Sequence, residues 1–337
     1  MPRTLKQKPR PYQREAAEYA LKKKRCICVL PTGTGKTLIG ALWASTLLER
    51  GVARRVLVLE PTRYLVGQVA AYYRRLGLED AAPVHGGMPP EQRRKAWRAR
   101  IVIATPEVVL ADIEEAPLHE VDAVVVDECH HTTGKDAYAK LMELVKAEYR
   151  LGLTAYLPPS RVAEVKRFLG HVKSWSWSDP RIKKYVPEWI GEVYEAELND
   201  EEKRLLSMLE EKLRAADRRH RSLIKLAERF FVRDGALALK ETLEKGGKMY
   251  SVLDGEVLRL LSRLRPAHKL PALERVLSDH EGFSKAIIFI DRVSLAYLVA
   301  KRLKELDVEN IVLCGKAAGR RAWRNSWPQP GAPTLKQ

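Results

Sequence analysis

The sequence predicts an α/β fold with a doubly wound parallel sheet between residue 26 and about residue 155. Short apolar runs alternate with stretches of helical character, and a glycine-rich loop stands between the first run and the first helix. Strands are expected at 26–30, 55–59, 101–104, 121–126 and 150–153. Helices are expected at 37–49, 64–76, 90–98 and 136–147. Functional side chains should lie in loops at the carboxyl ends of the strands.

The glycine-rich loop reads PTGTGKT and follows the first apolar run directly. Strand, glycine-rich loop and helix is the setting of a phosphate-binding loop. Gly33 and Gly35 let the backbone turn its N–H groups toward phosphate oxygens, and the helix N-terminus adds partial positive charge. Lys36 can reach the β- and γ-phosphates, and the Thr37 hydroxyl can ligate Mg²⁺. A Gly-Lys-Thr string also occurs in ordinary surface loops. The predicted nucleotide contacts here are Thr32, Gly33, Thr34, Gly35, Lys36 and Thr37.

An acidic pair supports the nucleotide interpretation. The buried-strand pattern at 121–126 is followed at once by Asp127, Glu128, Cys129 and His130. A carboxylate at the carboxyl end of a parallel strand is where a site for ATP and Mg²⁺ needs one. Asp127 would hold the metal, and Glu128 would orient or activate the attacking water. The alternative is that the pair only caps the following helix.

Composition limits the class of partner. The chain has 337 residues, a soft indication of two domains, and a net charge of +17. This charge favours a polyanion, nucleic acid first and an anionic membrane second. No apolar run approaches the roughly 20 residues of a membrane span, and the N-terminus has no hydrophobic signal region. We therefore expect no membrane association and a cytoplasmic, nucleoid-associated location. The four cysteines indicate small core residues in a reducing compartment.

The chain after residue 155 has a different character. Residues 156–200 suggest a short helix at 160–169, then connecting strands and a linker. Residues 200–265 are helical and charged, with a break at Gly246-Gly247. Basic side chains there recur at three- and four-residue steps and predict one basic stripe on a helix. This stripe is either a solvated face or a surface that tracks phosphates. Its members are Arg214, Arg218, Arg221, Lys225 and Arg229.

The α/β rhythm returns near residue 269. A helix is expected at 270–279, a strand at 286–290, a helix at 293–306 and a short strand at 311–313. Residues 315–337 have almost no aliphatic side chains and no periodicity, so they cannot supply a sheet.

Further motifs stand in a fixed order around the glycine-rich loop. Arg10-Pro11-Tyr12-Gln13 comes before it, and Glu60-Pro61-Thr62-Arg63 ends the second predicted strand. Gly86-Gly87, Thr105-Pro106-Glu107 and Gly152-Leu153-Thr154-Ala155 follow. Together these motifs resemble the first motor lobe of a superfamily 2 helicase, continuously over residues 9–157.

Within that superfamily, the chain most resembles the archaeal Hef helicases and their Fanconi anaemia group M and Mph-type relatives. Leu30 before the loop, PTRYLVGQ, ATPEVVLADI and the HHTTG run followed by Ala137-Tyr138 fit that group. Its members also carry a helical insert between their two lobes. RIG-I- and Dicer-like helicases are more distant relatives, which leaves RNA open as a substrate.

The resemblance implies a role for each matching residue. Gln13 would read the adenine edge, and Lys36, Asp127, Glu128 and His130 would form the catalytic set. Thr154 and Ala155 would transmit the hydrolysis state. Contacts to the phosphate backbone of one strand would come from Thr62, Arg63, Gly87 and Thr105. From its spacing, and not from the resemblance, the basic stripe adds Arg214, Arg218, Arg221 and Lys225 as expected nucleic-acid contacts. The alternatives are that Thr62 and Thr105 only cap helices and that His130 only packs.

The resemblance also implies a division of the chain. A RecA-like lobe would span 1–180, a linker 181–200, a basic thumb-like insert 201–265, a partial second RecA-like lobe 266–314 and an irregular tail 315–337. A complete second lobe would need roughly a hundred further residues. Gly319-Arg320-Arg321 is therefore not expected to supply the arginine finger. Tyr156 departs from the small polar residue usual after Thr154-Ala155. Weak or absent hydrolysis and association through the incomplete lobe are expected of this chain.

The expected function is that of an ATP- and Mg²⁺-dependent DNA helicase or translocase that acts on forked or branched DNA. Two alternatives stay open at this point: an RNA-directed helicase, and a non-catalytic module whose DNA binding is gated by nucleotide. A nuclease is not expected, because the chain has no ERKxxxD-type carboxylate cluster.

Overall fold

A computed structural model describes residues 5–186, 190–244, 249, 252–264, 269–280, 282 and 284–314. The chain divides into two compact units, Met1–Ile190 and Gly191–Gln337. This boundary lies inside the segment expected to be a linker. The finer division into an insert and a partial second lobe stays a prediction.

The first unit contains a seven-stranded sheet. Its strands are β1 Arg25–Val29, β2 Val56–Leu59, β3 Ala81–Val84, β4 Ile101–Ala104, β5 Ala123–Asp127, β6 Tyr149–Thr154 and β7 His171–Ser174. Their order across the sheet is β3-β4-β2-β5-β6-β1-β7. All neighbouring strands run parallel, which confirms the predicted doubly wound α/β fold.

Helices cover both faces of this sheet, so each face has its own apolar core. Cys26 and Cys28 of β1 belong to one core with Trp43, whereas Ile27 between them belongs to the other with Phe168. This alternation follows from the two-residue repeat of a strand. The helices are α1 Pro11–Lys23, α2 Lys36–Glu49, α3 Arg63–Arg75, α4 Pro90–Ala96, α5 Pro106–Ala111, α6 Ala137–Leu144, α7 Val162–Leu169 and α8 Pro180–Lys183.

The strands that the sequence did not locate are the two edges of the sheet. The sequence does not predict β3, and it indicates only connecting strands without bounds where β7 lies. The β3 segment reads Ala-Ala-Pro-Val, and Pro83 cannot donate a ladder hydrogen bond, which restricts it to an edge strand. In β7, His171 and Lys173 replace the apolar run of an inner strand.

The second unit is helical. Its helices are α9 Asp200–Ala215, α10 Arg221–Glu244, α11 Gly255–Arg263, α12 Leu270–Asp279 and α13 Val293–Glu305. Gly235 has φ 82° and ψ 179°, so α10 is two helical pieces joined at a kink. Leu209, Phe231, Leu239 and Val257 form a core for this unit.

The predicted strands at 286–290 and 311–313 are wrong. Residues 284–314 contain no strand in this structure, and neither segment has regular secondary structure. Ile287 is 80% exposed and Phe289 is 91% exposed. A strand requires a hydrogen-bonded neighbour, and no described segment of this unit supplies one. The expected break at Gly246-Gly247, the tail 315–337 and Gly319-Arg320-Arg321 lie outside the described residues.

Candidate nucleotide-binding site

The glycine-rich loop connects the end of β1 to the first turn of α2. Gly33 has φ 83° and Gly35 has φ 74°, a left-handed region that glycine adopts without strain. A Cβ atom on Gly35 would lie 2.6 Å from Gln13 Nε2, so the loop also needs glycine here for space. Thr32 is exposed, whereas Lys36 and Thr37 are half-buried in the first turn of α2. The expected strand–loop–helix geometry is present.

Hydrogen bonds inside the loop fix its shape. The buried Thr34 hydroxyl donates to Pro31 O at 2.6 Å. Leu30 N–H donates to Thr154 O of β6 at 3.0 Å. Lys36 Nζ lies 3.4 Å from Leu30 O, so its ammonium group stays over the loop.

Helix α1 supports the loop from the side. Tyr12 Oη and Gln13 Nε2 each donate to Thr34 O at 2.8 Å. Gln13 Oε1 accepts the Arg10 N–H at 2.8 Å, and the Gln13 residue is only 3% exposed. Gln13 therefore braces the loop in this structure. Its reading of an adenine edge stays a prediction.

The acidic pair lies at the end of β5, beyond β6 from the loop. Glu128 has φ 47°, and its N–H donates to Asp127 Oδ1 at 2.9 Å. Burial raises the pKa of Asp127, and the Glu128 charge raises it further, while the Glu128 N–H and Lys36 oppose the shift. Within the described residues, the Glu128 side chain makes no capping bond to the short 3₁₀ turn that follows. The capping alternative therefore has no support from this geometry.

A third carboxyl group, Glu60, lies beside this pair, and the sequence reasoning assigned it no role. It follows β2, which pairs with β5 through Leu59 and Val126. Glu60 is 2% exposed, and its Oε2 has no hydrogen-bond partner among the described residues. Burial raises its pKa strongly, and Asp127 and Glu128 raise it further. A charged residue directly after a buried strand, as at Asp127, was the available signal.

The predicted coupling residues meet at Glu128. His130 Nδ1 lies 3.0 Å from Thr154 Oγ1 and 3.3 Å from Glu128 Oε2. Thr154 Oγ1 also donates to Tyr156 O at 2.8 Å. Burial lowers the pKa of His130, and His131 lowers it further, which favours the neutral ring. Ala155, which follows Thr154 in the chain, is half-buried, and Tyr156 is 65% exposed.

The residues expected to contact nucleic acid lie after β2, β3 and β4, at the other half of the sheet. Thr62 caps α3, because its side chain accepts the Leu65 N–H at 3.3 Å. Arg63 and Gly87 are exposed and near each other, since a Cβ on Gly87 would lie 3.8 Å from Arg63 Nη1. Thr105 is mostly buried ahead of α5. Their contact with nucleic acid stays a prediction.

The basic stripe does not lie on one helix, which corrects the expectation. Helix α9 ends at Ala215 and α10 begins at Arg221. The helix is interrupted between these two elements, where the Asp217 side chain accepts the His220 N–H at 2.8 Å, as in a local turn. Arg221, Lys225 and Arg229 share an exposed face of α10 at four-residue steps. Arg214 ends α9, and Arg218 lies in the turn.

The donor set suits magnesium that arrives with a nucleotide. Among the described residues, no group of three or more His, Cys, Asp or Glu side chains could hold a metal ion alone. Mg²⁺ in nucleotide sites usually takes one or two carboxylates, with phosphate oxygens and water completing its shell. The Asp127 carboxylate and the Thr37 hydroxyl fit that requirement.

Among the helices in the described part of the chain, none combines the length and apolar character needed to cross a membrane.

Comparisons with known proteins agree with this site. A family profile described as "Type III restriction enzyme, res subunit" matches residues 6–158. Over 310 residues, the chain is 31% identical to a Methanocaldococcus jannaschii protein named as an ATP-dependent RNA helicase. The alignment covers 87% of this chain and 38% of that protein. Over 151 residues, it is 32% identical to the DEAD-box ATP-dependent DNA helicase Fancm of Drosophila melanogaster, covering 42% and 10%.

A solved structure extends the likeness to most of the chain. The helicase domain of Pyrococcus furiosus Hef matches with a TM-score of 0.56 at 25% identity, over 94% of this chain and 82% of that one. The parallel sheet, the phosphate loop and the acidic pair therefore define the class as that of the superfamily 2 ATP-dependent helicases. Within this class, the chain is similar to the Hef, Fanconi anaemia group M and Mph-type helicases. It spans 38% and 10% of the two curated relatives described above.

Proposed function

We propose that this chain is the motor region of an ATP-dependent DNA helicase or translocase that acts on forked or branched DNA, such as replication-fork or recombination intermediates. The observation that carries the proposal is the connected group at the strand ends. Glu128 lies between Asp127 on one side and His130 and Thr154 on the other. Thr154 O in turn holds the start of the phosphate loop.

The side chains of the site divide the work of phosphoryl transfer. Lys36 and the loop N–H groups would bind the β- and γ-phosphates. Asp127 and Thr37 would hold Mg²⁺, which neutralises phosphate charge when bound. Glu128 would orient an attacking water, and its carboxylate is kept in place by His130. A change at Glu128 would therefore reach Thr154 and β6.

The nucleic-acid side of the proposal rests on charge and on exposed donors. Thr62 and Arg63 stand at the N-terminus of α3, and Gly87 lies in the loop after β3. Hydroxyl, guanidinium and N–H groups at such positions can bind phosphates without reading bases. The net charge of +17 supports a polyanionic partner. The Drosophila relative is named a DNA helicase, which favours DNA.

The test is ATP hydrolysis by the 337-residue chain with forked DNA, compared with Glu128→Gln. This variant keeps the shape and hydrogen-bonding reach of the side chain but removes the charge that activates water. We expect weak but measurable DNA-stimulated phosphate release by the wild type, and retained ATP binding with release reduced further by Glu128→Gln. Equal rates in both proteins would contradict the assigned role. ATP-dependent DNA binding without release would favour the non-catalytic module.

RNA is a second candidate substrate, because the Methanocaldococcus relative is named an RNA helicase and its match covers most of this chain. Competition binding separates the two. Unlabelled forked DNA should displace labelled forked DNA at lower concentration than double-stranded RNA of equal length. The opposite order would favour an RNA-directed helicase.

A further inference from the structure

His85 stands directly after the edge strand β3, and the sequence alone gives it no role. Its ring Nδ1 accepts the Gly87 N–H at 3.2 Å. A Cβ on Gly87 would lie 3.3 Å from this Nδ1, 3.4 Å from His85 Cε1 and 3.8 Å from Arg63 Nη1. The His85 ring and the Arg63 guanidinium therefore line the same small space beside Gly87, and the glycine leaves that space open.

The hydrogen bond at Nδ1 decides which ring nitrogen of His85 carries the proton. Burial lowers the pKa of His85, and the Arg63 charge lowers it further, which favours the neutral ring. A neutral imidazole has one donor and one acceptor nitrogen, so an Nδ1 that accepts leaves the hydrogen on Nε2. Within the part of the chain that the structure describes, Nε2 makes no protein hydrogen bond. His85 thus offers a neutral donor.

The same hydrogen bond limits what Gly87 can do. Its N–H is expected to bind a nucleic-acid phosphate, yet in this structure it is already donated to His85. This N–H would have to leave the ring before it could reach a phosphate, whereas the His85 Nε2–H needs no such exchange. Arg63 adds an exposed cation beside that donor, and no carboxylate among the described residues pairs with it.

The loop that carries His85 is held in place from behind. His85 O accepts the Met88 N–H at 3.0 Å, which closes a tight turn. Met88 O accepts a hydrogen bond from Arg93 Nη1 at 2.9 Å, and Arg93 forms an ion pair with Asp112. Asp112 is 5% exposed, so this anchor lies inside the first unit. The His85 donor is therefore held at a defined position before any ligand binds.

We infer that His85 is a nucleic-acid-binding residue: its Nε2–H donates to a backbone phosphate of DNA next to the Arg63 guanidinium, while its Nδ1 holds the Gly87 N–H. A neutral donor beside a cation binds a phosphate oxygen by direction as well as by charge. The contact reads no base, as a motor that moves along any sequence requires. This inference rests on the proposed function, because it takes DNA as the ligand.

The experiment measures the affinity of the 337-residue chain for forked DNA at pH 8, by fluorescence anisotropy at several salt concentrations. His85→Asn keeps an oxygen near the place of Nδ1, which can accept the Gly87 N–H, and removes the Nε2 donor. It should weaken binding roughly two- to tenfold, the effect of one net hydrogen bond, and His85→Ala should lose as much. His85→Gln places an amide donor near the position of Nε2 and should bind within about twofold of the wild type.

The salt dependence separates His85 from its cationic neighbour. Arg63→Ala should lower the slope of log affinity against log salt by about 1, because it removes one phosphate-bound cation. A neutral ring displaces no counterion, so His85→Asn should leave this slope unchanged. His119→Asn is the matched control and should change neither quantity. The His119 side chain is 82% exposed and precedes β5, at the opposite end of the sheet.

Far-UV circular dichroism checks that each variant is folded. Wild-type affinity in His85→Asn would overturn the inference, because the ring would then serve only to accept the Gly87 N–H. Affinity equal to or above the wild type in His85→Ala would overturn it too, since the freed Gly87 N–H would then be the phosphate contact. A loss in His85→Gln as large as that in His85→Asn would contradict the assigned donor.

One comparison separates this inference from the proposed function. If Arg63→Ala weakens DNA binding and no His85 variant does, the proposed function stands and the role of His85 falls. If the wild type does not bind forked DNA, the proposed function falls and the inference falls with it.

Discussion

The apolar run of β5 in the first unit and the run at 286–290 in the second unit have similar composition and opposite surroundings. Val124, Val125 and Val126 are buried because β2 and β6 flank them and helices cover both faces. Ile287 and Phe289 are largely exposed, and the described part of the second unit gives them no strand neighbour. Whether an apolar run forms a strand thus depends on the strands available beside it as well as on its own residues.

The same contrast applies to charged groups. Asp112 in the first unit is buried and bonded to Arg93 and Trp97. Asp291 in the second unit has a 72% exposed side chain and lies 3.7 Å from Arg233. Matched substitutions in the two units test whether burial decides the effect of each residue.

The largest difference is expected between two isoleucines. Ile27 of β1 is fully buried, so Ile27→Ala should cost about 2–5 kcal/mol of unfolding free energy through lost burial and a cavity. Ile287→Ala removes the same atoms from an exposed site and should change stability by less than about 0.5 kcal/mol. Urea unfolding followed by far-UV circular dichroism measures both. Similar losses would show that residues 286–290 are buried in solution.

A smaller difference is expected between the two aspartates. Asp112→Ala leaves the buried indole N–H of Trp97 without the carboxylate it donates to at 3.1 Å, which costs about 1–3 kcal/mol. Asp291→Ala should leave the unfolding midpoint unchanged within error. An unchanged midpoint for Asp112→Ala would mean that another group or water replaces the carboxylate.

The buried carboxyl group of Glu60 should make stability depend on pH. Its pKa is raised on folding, so the folded state keeps a proton that the unfolded chain releases above about pH 4.3. This contribution is fully present below that pH and is lost as pH rises toward the raised pKa. Glu60→Gln should therefore flatten the decline of unfolding free energy between pH 5 and 8. Glu79→Gln, at an exposed glutamate, is the control, and identical slopes in Glu60→Gln and wild type would contradict the assignment.

The smallest effect is expected from the exposed basic face of α10. Replacing both Arg221 and Lys225 by alanine should weaken DNA binding to a similar degree for all sequences. It should also reduce the slope of log affinity against log salt by about 2, one unit for each lost phosphate contact. Fluorescence anisotropy at several salt concentrations measures this slope. An unchanged slope would identify these side chains as a solvated face.

The sequence alone could predict the parts of the molecule whose structure is determined by residues that are adjacent in the chain. Gly33, Gly35 and Lys36 belong to a motif whose residue types predict its geometry, and Asp127 ends a strand whose other residues, Ala123 to Val126, are apolar. The sequence did not predict the edge strand β3, because Pro83 and two alanines do not resemble the apolar run of an inner strand. The role of Glu60 was missed for another reason. Asp127 and Glu128, the carboxyl groups beside it, are distant in the chain and come near it only through the order of the strands.

The measurement that tests the central claim most directly is ATP binding by the wild type and by Lys36→Ala in the presence of Mg²⁺. Isothermal titration calorimetry gives both affinities, and far-UV circular dichroism checks that the variant is folded. Since Lys36 Nζ lies over the loop within 3.4 Å of Leu30 O, its removal should abolish measurable binding. Equal affinity in a folded Lys36→Ala variant would contradict the assignment of residues 31–37 as the nucleotide-binding loop.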